Sequence, residues 1–262
     1  MATLGGGGDT AVQLYTPAPS SVGGNNAGQV DFTPGAALEA AKVGLAGVSH
    51  LETIVIKGQL VSATGLADAL KDLRSVKEMV MAYDITFAAD DADVVFPSLV
   101  RLFTGNFYAN AKTLTFPALQ AVDERIAILG NQIDLTQKQL TAIRMPSLRY
   151  AERLIIRGWA ELVEVDLSSL VVTGGQVNLD GVQIGVSGAL PKLETFNVSE
   201  DFILARKLIQ FQSVPNLKCT DGRNAGLSKM LSECKSASAI TASGRADTWN
   251  SCTVSGAPVD CN

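Results

Sequence analysis

A single histidine, His50, is all that 262 residues offer. Any Ser-His-Asp or Cys-His catalytic site would have to be built on it. Charge is also sparse, with 21 Lys and Arg against 26 Asp and Glu and a formal net charge of −5. A weakly acidic chain has no electrostatic reason to seek nucleic acid or an anionic membrane. No run approaches the roughly 18 consecutive apolar residues of a membrane span, so none is expected. Aromatics reach only 6%. The glycines of "MATLGGGG" follow no strand pattern and precede no Gly-Lys-Ser/Thr, which excludes a phosphate loop. The same stretch has neither a basic n-region nor an apolar h-region, so no secretory signal is expected there.

Cysteine is missing until Cys219 and then occurs at Cys234, Cys252 and Cys261. An even number confined to one end predicts local disulfides, an oxidising compartment and an extracellular or cell-surface location. The spacings of 15, 18 and 9 contain no Cys-x-x-Cys and no histidine is near, which argues against zinc. A Cys219–Cys234 bond would close a loop of about 15 residues, worth roughly 3 kcal/mol on the chain-entropy model. Cys252–Cys261 would be its companion, with other pairings open.

What the chain does have is a repeat. One pattern, apolar-x-apolar-Pro/Ser-x-Leu, reads Val94-Val95-Phe96-Pro97-Ser98-Leu99 and Leu114-Thr115-Phe116-Pro117-Ala118-Leu119. It returns as Ile143-Arg144-Met145-Pro146-Ser147-Leu148 and Val165-Asp166-Leu167-Ser168-Ser169-Leu170. Looser copies are Leu190-Pro191-Lys192-Leu193 and Val214-Pro215-Asn216-Leu217. Degenerate ones are Val48-Ser49-His50-Leu51 and Leu70-Lys71-Asp72-Leu73. The closing leucines lie 20 to 29 residues apart, and five of the nine prolines occupy this slot.

A second pattern, apolar-x-apolar-x-Gly, reads Ile54-Val55-Ile56-Lys57-Gly58, Ile126-Ala127-Ile128-Leu129-Gly130, Leu154-Ile155-Ile156-Arg157-Gly158 and Val177-Asn178-Leu179-Asp180-Gly181. Alternation turns one side of each strand inward. Glycine ends a strand where the chain turns tightly, and proline marks a strand end or corner. No such segment buries its apolar face alone, so the segments must stack. The expected fold is mainly β: a parallel β-solenoid of about eight coils of roughly 24 residues, about 40 Å long. Short helical caps and a cysteine-stapled C-terminal cap would close it.

Three regions follow. Residues 1–35, rich in Gly, Pro, Ser and Asn, read as an extended N-terminal arm. Residues 36–217 read as the solenoid, with "AALEAAKVGLAG" at 36–47 as a capping helix. Residues 218–262 read as the cysteine-containing cap, with a helix over 225–236. Residues 63–74 and 131–140 read as excursions between coils.

The stretches "FPALQAVDERIAILGN" and "MPSLRYAERLIIRGWAELVEVDLSSL" resemble the receptor L-domain repeat. That repeat occurs in fungal cell-wall proteins and in the ligand-binding lobes of growth-factor receptors. The resemblance spans about residues 48–217. "LKCTDGRNAGLSKMLSECKSA" is similar to the cysteine-bearing cap of the fungal group. The resemblance implies a stacked, leucine-rich-repeat-like β fold and supplies no catalytic residues.

The remaining chemistry is thin. His50, beside the first apolar strand, reads as structural. Asp90, Asp91 and Asp93 cluster without the glycine turn or bidentate glutamate of a calcium loop. No metal or cofactor is expected. Asp123, Glu124, Glu152, Glu161 and Glu164 are the carboxylates from which a glycosidase pair would be drawn, but nothing fixes two at the required separation. Asn197 and Asn250 head glycosylation sequons. Arg153, Arg157 and Trp159 form a possible binding face. The expected function is a non-enzymatic extracellular structural or adhesive subunit of a wall, coat, surface layer or filament. Its partners would be copies of itself, other extracellular structural proteins, or glycans. The alternative is a binding lobe for a peptide or glycan, and a carbohydrate-active enzyme comes third.

Overall fold

The computed structural model describes residues 29–82, 85–88, 92–108, 111–130, 140–159, 161–180, 193–201, 203–204, 208–212, 224, 226–227 and 252–255. The protein is mainly β, and every strand pairing is parallel. The chain begins with β1 (Gln29–Asp31), α1 (Ala36–Leu45), β2 (His50–Lys57), α2 (Ala63–Ala69) and β3 (Ser75–Met81). It then alternates short and long strands: β4 (Asp93–Val95), β5 (Arg101–Phe107), β6 (Thr113–Thr115), β7 (Ala121–Leu129), β8 (Ala142–Arg144) and β9 (Tyr150–Arg157). It continues with β10 (Glu164–Leu167), β11 (Val172–Asp180), β12 (Thr195–Val198), β13 (Ile203–Leu204), β14 (Leu208–Gln212) and β15 (Cys252–Ser255).

The long strands make a ten-stranded sheet in the order β1-β2-β3-β5-β7-β9-β11-β14-β15, with β13 also on β11. The short ones make a five-stranded sheet, β4-β6-β8-β10-β12. From β4 onward the chain therefore steps from one sheet to the other and back, a path compatible with a β-solenoid. In the first two circuits α1 and α2 replace the short strand. The segment 63–74, expected as an excursion, is thus part of the second layer, and α2 packs against β4. Ser62 caps α2, its Oγ accepting from Gly65 N–H at 3.0 Å.

The register explains the repeat. Ile54, Met79, Gly105, Ile126, Leu154 and Val177 are successive partners across the large sheet. Ile56, Met81, Phe107, Ile128 and Ile156 form the next inward row. A third row runs Leu51, Val76, Leu102, Val122, Ala151 and Thr173. All but Gly105 are buried side chains of the core. Burying each large one stabilises by about 1.5–3 kcal/mol, which no single circuit could gather alone. At Gly105 the missing side chain is replaced by its neighbours, since a Cβ there would lie 2.7 Å from both Leu102 and Phe107.

The two corners have different chemistry. At one, the Pro/Ser-x-Leu turns bring Arg74, Val100, Gln120, Arg149 and Val171 into a column. Each N–H donates to the carbonyl one circuit back, Arg149 to Gln120 at 2.9 Å and Val171 to Arg149 at 3.1 Å. The opposite corner holds Ala92, Lys112, Thr141, Val163 and Glu194 in the same way. There Leu140, Leu162 and Leu193 plug the core. Leu193, expected to close a looser copy of the proline turn, therefore stands at the other corner, where it leads into the short strand β12 and repeats Leu140 and Leu162.

Residues 29–35, expected in the arm, are built into the domain. Val30 pairs with Ile56 and Phe32 is fully buried. Of the expected 225–236 helix only Gly226 and Leu227 are described, and both are helical. The rest of that helix, the rest of the arm, the segment 131–139, Cys219, Cys234, Cys261, Asn250, Trp249, Asp90 and Asp91 lie outside the described residues. Cys252 lies in β15, in register with Ile209. The strand β12 ends the short-strand sheet, and Asn224 covers its edge. Asn224 Oδ1 accepts from Phe196 N–H at 2.8 Å and its Nδ2 donates to Glu194 C=O at 3.0 Å. One side chain thus makes the two bonds that a further strand would make. Gly226 follows closely, since a Cβ there would lie 2.1 Å from Val198 O.

Candidate functional site: a polar concavity at the serine corner

The expected binding face does not survive intact. Trp159 is 1% exposed, and its Nε1 donates to Ile128 O at 3.2 Å. It follows Gly158, which turns the chain with φ 75°, so the indole folds back over the end of the core. A ring held there by its only polar atom is no stacking platform. Arg153 remains on the outer face of the large sheet, with its guanidinium 3.4 Å from Glu124. Arg157 is half-buried one strand position before the turn.

Four of the five glycosidase-candidate carboxylates, Asp123, Glu124, Glu152 and Glu164, are engaged by a cation or a hydroxyl. Arg101 grips Asp123 with two bonds of 2.6 and 3.0 Å. Arg144 grips Glu164 with bonds of 3.0 and 2.7 Å. The Glu164 bond, with Asp166 and Asp93 nearby, holds the Arg144 guanidinium pKa above its ordinary value against the opposing effect of burial. Glu152 accepts from the Tyr150 hydroxyl at 2.7 Å and fills the niche left by Gly174. Glu161 stands in the turn after Trp159. The Arg101–Asp123, Arg144–Glu164 and Arg153–Glu124 pairs run from rung to rung, whereas the Tyr150–Glu152 bond stays within β9. Side chains so used brace the stack and do not converge on a substrate.

His50 Nδ1 shares a hydrogen bond with Ser75 Oγ, its partner across β2 and β3. Asp93 accepts from Thr113 Oγ1 at 2.9 Å on the short-strand sheet. Among the described residues no three His, Cys, Asp or Glu side chains stand where they could hold a metal ion. No helix among them is long and apolar enough to cross a membrane. Asn197 lies half-exposed on β12, beside Asp166 in register.

A concavity lies at the proline/serine corner. It has a volume of about 530 Å³ and is open to solvent. Its polar lining is Gln120, Ser147, Arg149, Ser168, Ser169 and Ser199, drawn from four successive circuits. The column of turn residues explains its position. Pro97, Pro117 and Pro146 occupy one slot in three circuits, and Ser168 and Ser199 hold it in the next two. The smaller side chain leaves space and exposes hydroxyls. Ser147 Oγ donates to Pro117 O at 2.6 Å, and Ser168 N–H donates to Asp166 Oδ1 at 3.0 Å, which fixes the turns. Arg149 projects from this column as the one charged residue of the lining. The sequence signal for the site was the change from proline to serine within the repeat. Compared with family models, curated proteins and solved structures, the chain matches none.

Proposed function

We propose that this protein is a non-enzymatic structural or adhesive subunit of an extracellular wall, coat, surface layer or filament. In this reading its core is a solenoid of about eight coils of roughly 24 residues, closed by a cysteine-stapled cap. Copies associate through the ends and faces of the sheets and through the arm. The observation that carries the reading is the first edge of the ten-stranded sheet. Among the described residues β1 covers only Val55, Ile56 and Lys57 of the eight-residue β2. The stretch His50–Ile54 has no strand partner on that side among them. A row of unpaired edge groups is a template for strand addition from another chain. The resemblance to receptor L-domain repeats and the grouping of cysteines at one end agree with a surface location. Electron microscopy of the concentrated full chain tests the reading. Ordered rods or arrays are expected, and uniformly single compact particles would contradict it.

A second reading, a lobe that recognises a glycan or peptide, is favoured by the polar concavity at the serine corner.

A further inference from the structure

We propose that the concavity at the serine corner binds an acidic polysaccharide, with Arg149 pairing to a uronate carboxylate and the serines meeting sugar hydroxyls. This deepens the second reading and rests on it, while self-assembly through the sheet edge stands or falls separately.

Charge comes first. Arg149 is exposed, and it is the sole charged group among the described lining residues. Arg101, Arg144 and Arg153 each pair with a carboxylate, and Arg125 Nη2 donates to Asn106 Oδ1 at 3.0 Å. Among the described residues Arg149 has no such ion pair. The exposed Arg74 of the same corner column is alike in this, but only Arg149 lines the concavity among the described residues. Its fork of N–H donors matches a planar carboxylate with two parallel bonds.

The rest of the lining sets the kind of polymer. Hydroxyls both donate and accept, and the Gln120 amide offers both functions too. That is the chemistry that meets sugar hydroxyls, which also act in both senses. The donors recur from circuit to circuit at the strand spacing of roughly 4.8 Å, along the axis of the stack. A repeating ligand laid along that axis meets the same groups more than once. A peptide needs other features: a free strand edge, an apolar groove, an aromatic channel or several arginines. Among the described residues the lining contains no aromatic residue and one arginine, so a glycan is the better match. Without an aromatic platform each contact is weak, and affinity grows with the number of sugar units engaged.

The test is calorimetric titration of the full chain with oligogalacturonate. A neutral maltooligosaccharide, poly-glutamate and inorganic sulfate serve as comparisons. The expected result is saturable binding of the uronate oligomer that weakens about tenfold or more in Arg149→Gln. Arg149→Lys should recover part of the loss. Ser169→Ala should weaken binding several-fold. Arg149 is exposed, so its variants should melt as the parent does, and the double variant Arg149→Gln/Ser169→Ala should stay folded by circular dichroism. Four results would each overturn the proposal: no uronate binding by the folded parent, equal binding by Arg149→Gln, poly-glutamate binding as tightly as the glycan, or sulfate alone binding as tightly. Absence of glycan binding in a chain that still assembles would leave the structural reading standing.

Discussion

Phe96 and Phe116, one circuit apart at the start of the proline turns, stack face to face with ring centroids 4.8 Å apart and planes 8° from parallel. Phe107 meets both edge-on, at 5.9 and 5.2 Å. The stacking distance matches the spacing of neighbouring strands, roughly 4.8 Å. The ladder therefore fixes the rings at a favourable separation, and the rings in turn fill the corner between the two sheets.

Removing one ring should be costly. Phe116 is fully buried, so Phe116→Ala leaves a cavity between circuits and should lower unfolding free energy by about 3–5 kcal/mol. Urea denaturation followed by circular dichroism measures it. A loss below about 1 kcal/mol would mean that the ring is not packed as described.

Thr173 offers a change in the opposite direction. It sits fully buried in the row of Leu51, Val76, Leu102, Val122 and Ala151, and its Oγ1 has no hydrogen-bond partner among the described residues. Thr173→Val swaps the hydroxyl for a methyl of similar size. It should leave stability unchanged or raise it by about 1 kcal/mol. A clear loss in the same denaturation assay would reveal a partner for the hydroxyl.

Asn224 should matter more than its position outside any long element suggests. Asn224→Ala strands the Phe196 N–H and the Glu194 carbonyl at the end of the short-strand sheet. The expected cost is about 1–3 kcal/mol, with increased association through the exposed edge. Asn224→Asp should do at least as badly, because a carboxylate oxygen would face the Glu194 carbonyl. Thermal melting and sedimentation read the two effects separately. A neutral Asn224→Ala in both would show that the edge is covered by something else.

Asp31 ties pH to the first strand. Its Oδ1 accepts the Thr33 N–H at 2.9 Å. That bond, then the Thr33 hydroxyl and the charge of Lys57, hold its carboxyl pKa below the ordinary 3.8 despite slight burial. A depressed folded-state pKa adds stability above the unfolded value, and the gain is lost as pH falls through the folded one. The group is largely exposed, so the effect is small. Asp31→Asn should lower the urea midpoint at pH 7 and narrow its difference from the parent near pH 3. An equal difference at both pH values would remove Asp31 from the acid response.

Much of this architecture was legible because its physics is local. Alternation of the kind in Ile54-Val55-Ile56 can only bury one side of a strand, and the proline turns mark a corner by their missing donor. The helix at Ala36–Leu45 followed from its alanines. The limits are as instructive. Leu193 was assigned to the wrong corner because leucines plug both, and only the register separates them. Trp159 could equally stack on a partner or cover a coil corner, because a lone aromatic after a glycine gives no sign of which way the chain turns; the structure has it buried. Asn224 left no local signal, since its role depends on an edge formed by Glu194 and Phe196, about thirty residues earlier. The concavity has no local signature, because serine in a turn is ordinary until Ser168 and Ser199 align in space.

The central claim is assembly, and light scattering tests it most directly. Native molar mass would be measured across a concentration series for the full chain and for a chain lacking residues 1–28, which keeps β1. The account predicts a mass that climbs above the 27.5 kDa protomer with concentration in the full chain and climbs less steeply without the arm, because the shortened chain keeps the β2 edge. A concentration-independent monomer in both would contradict it.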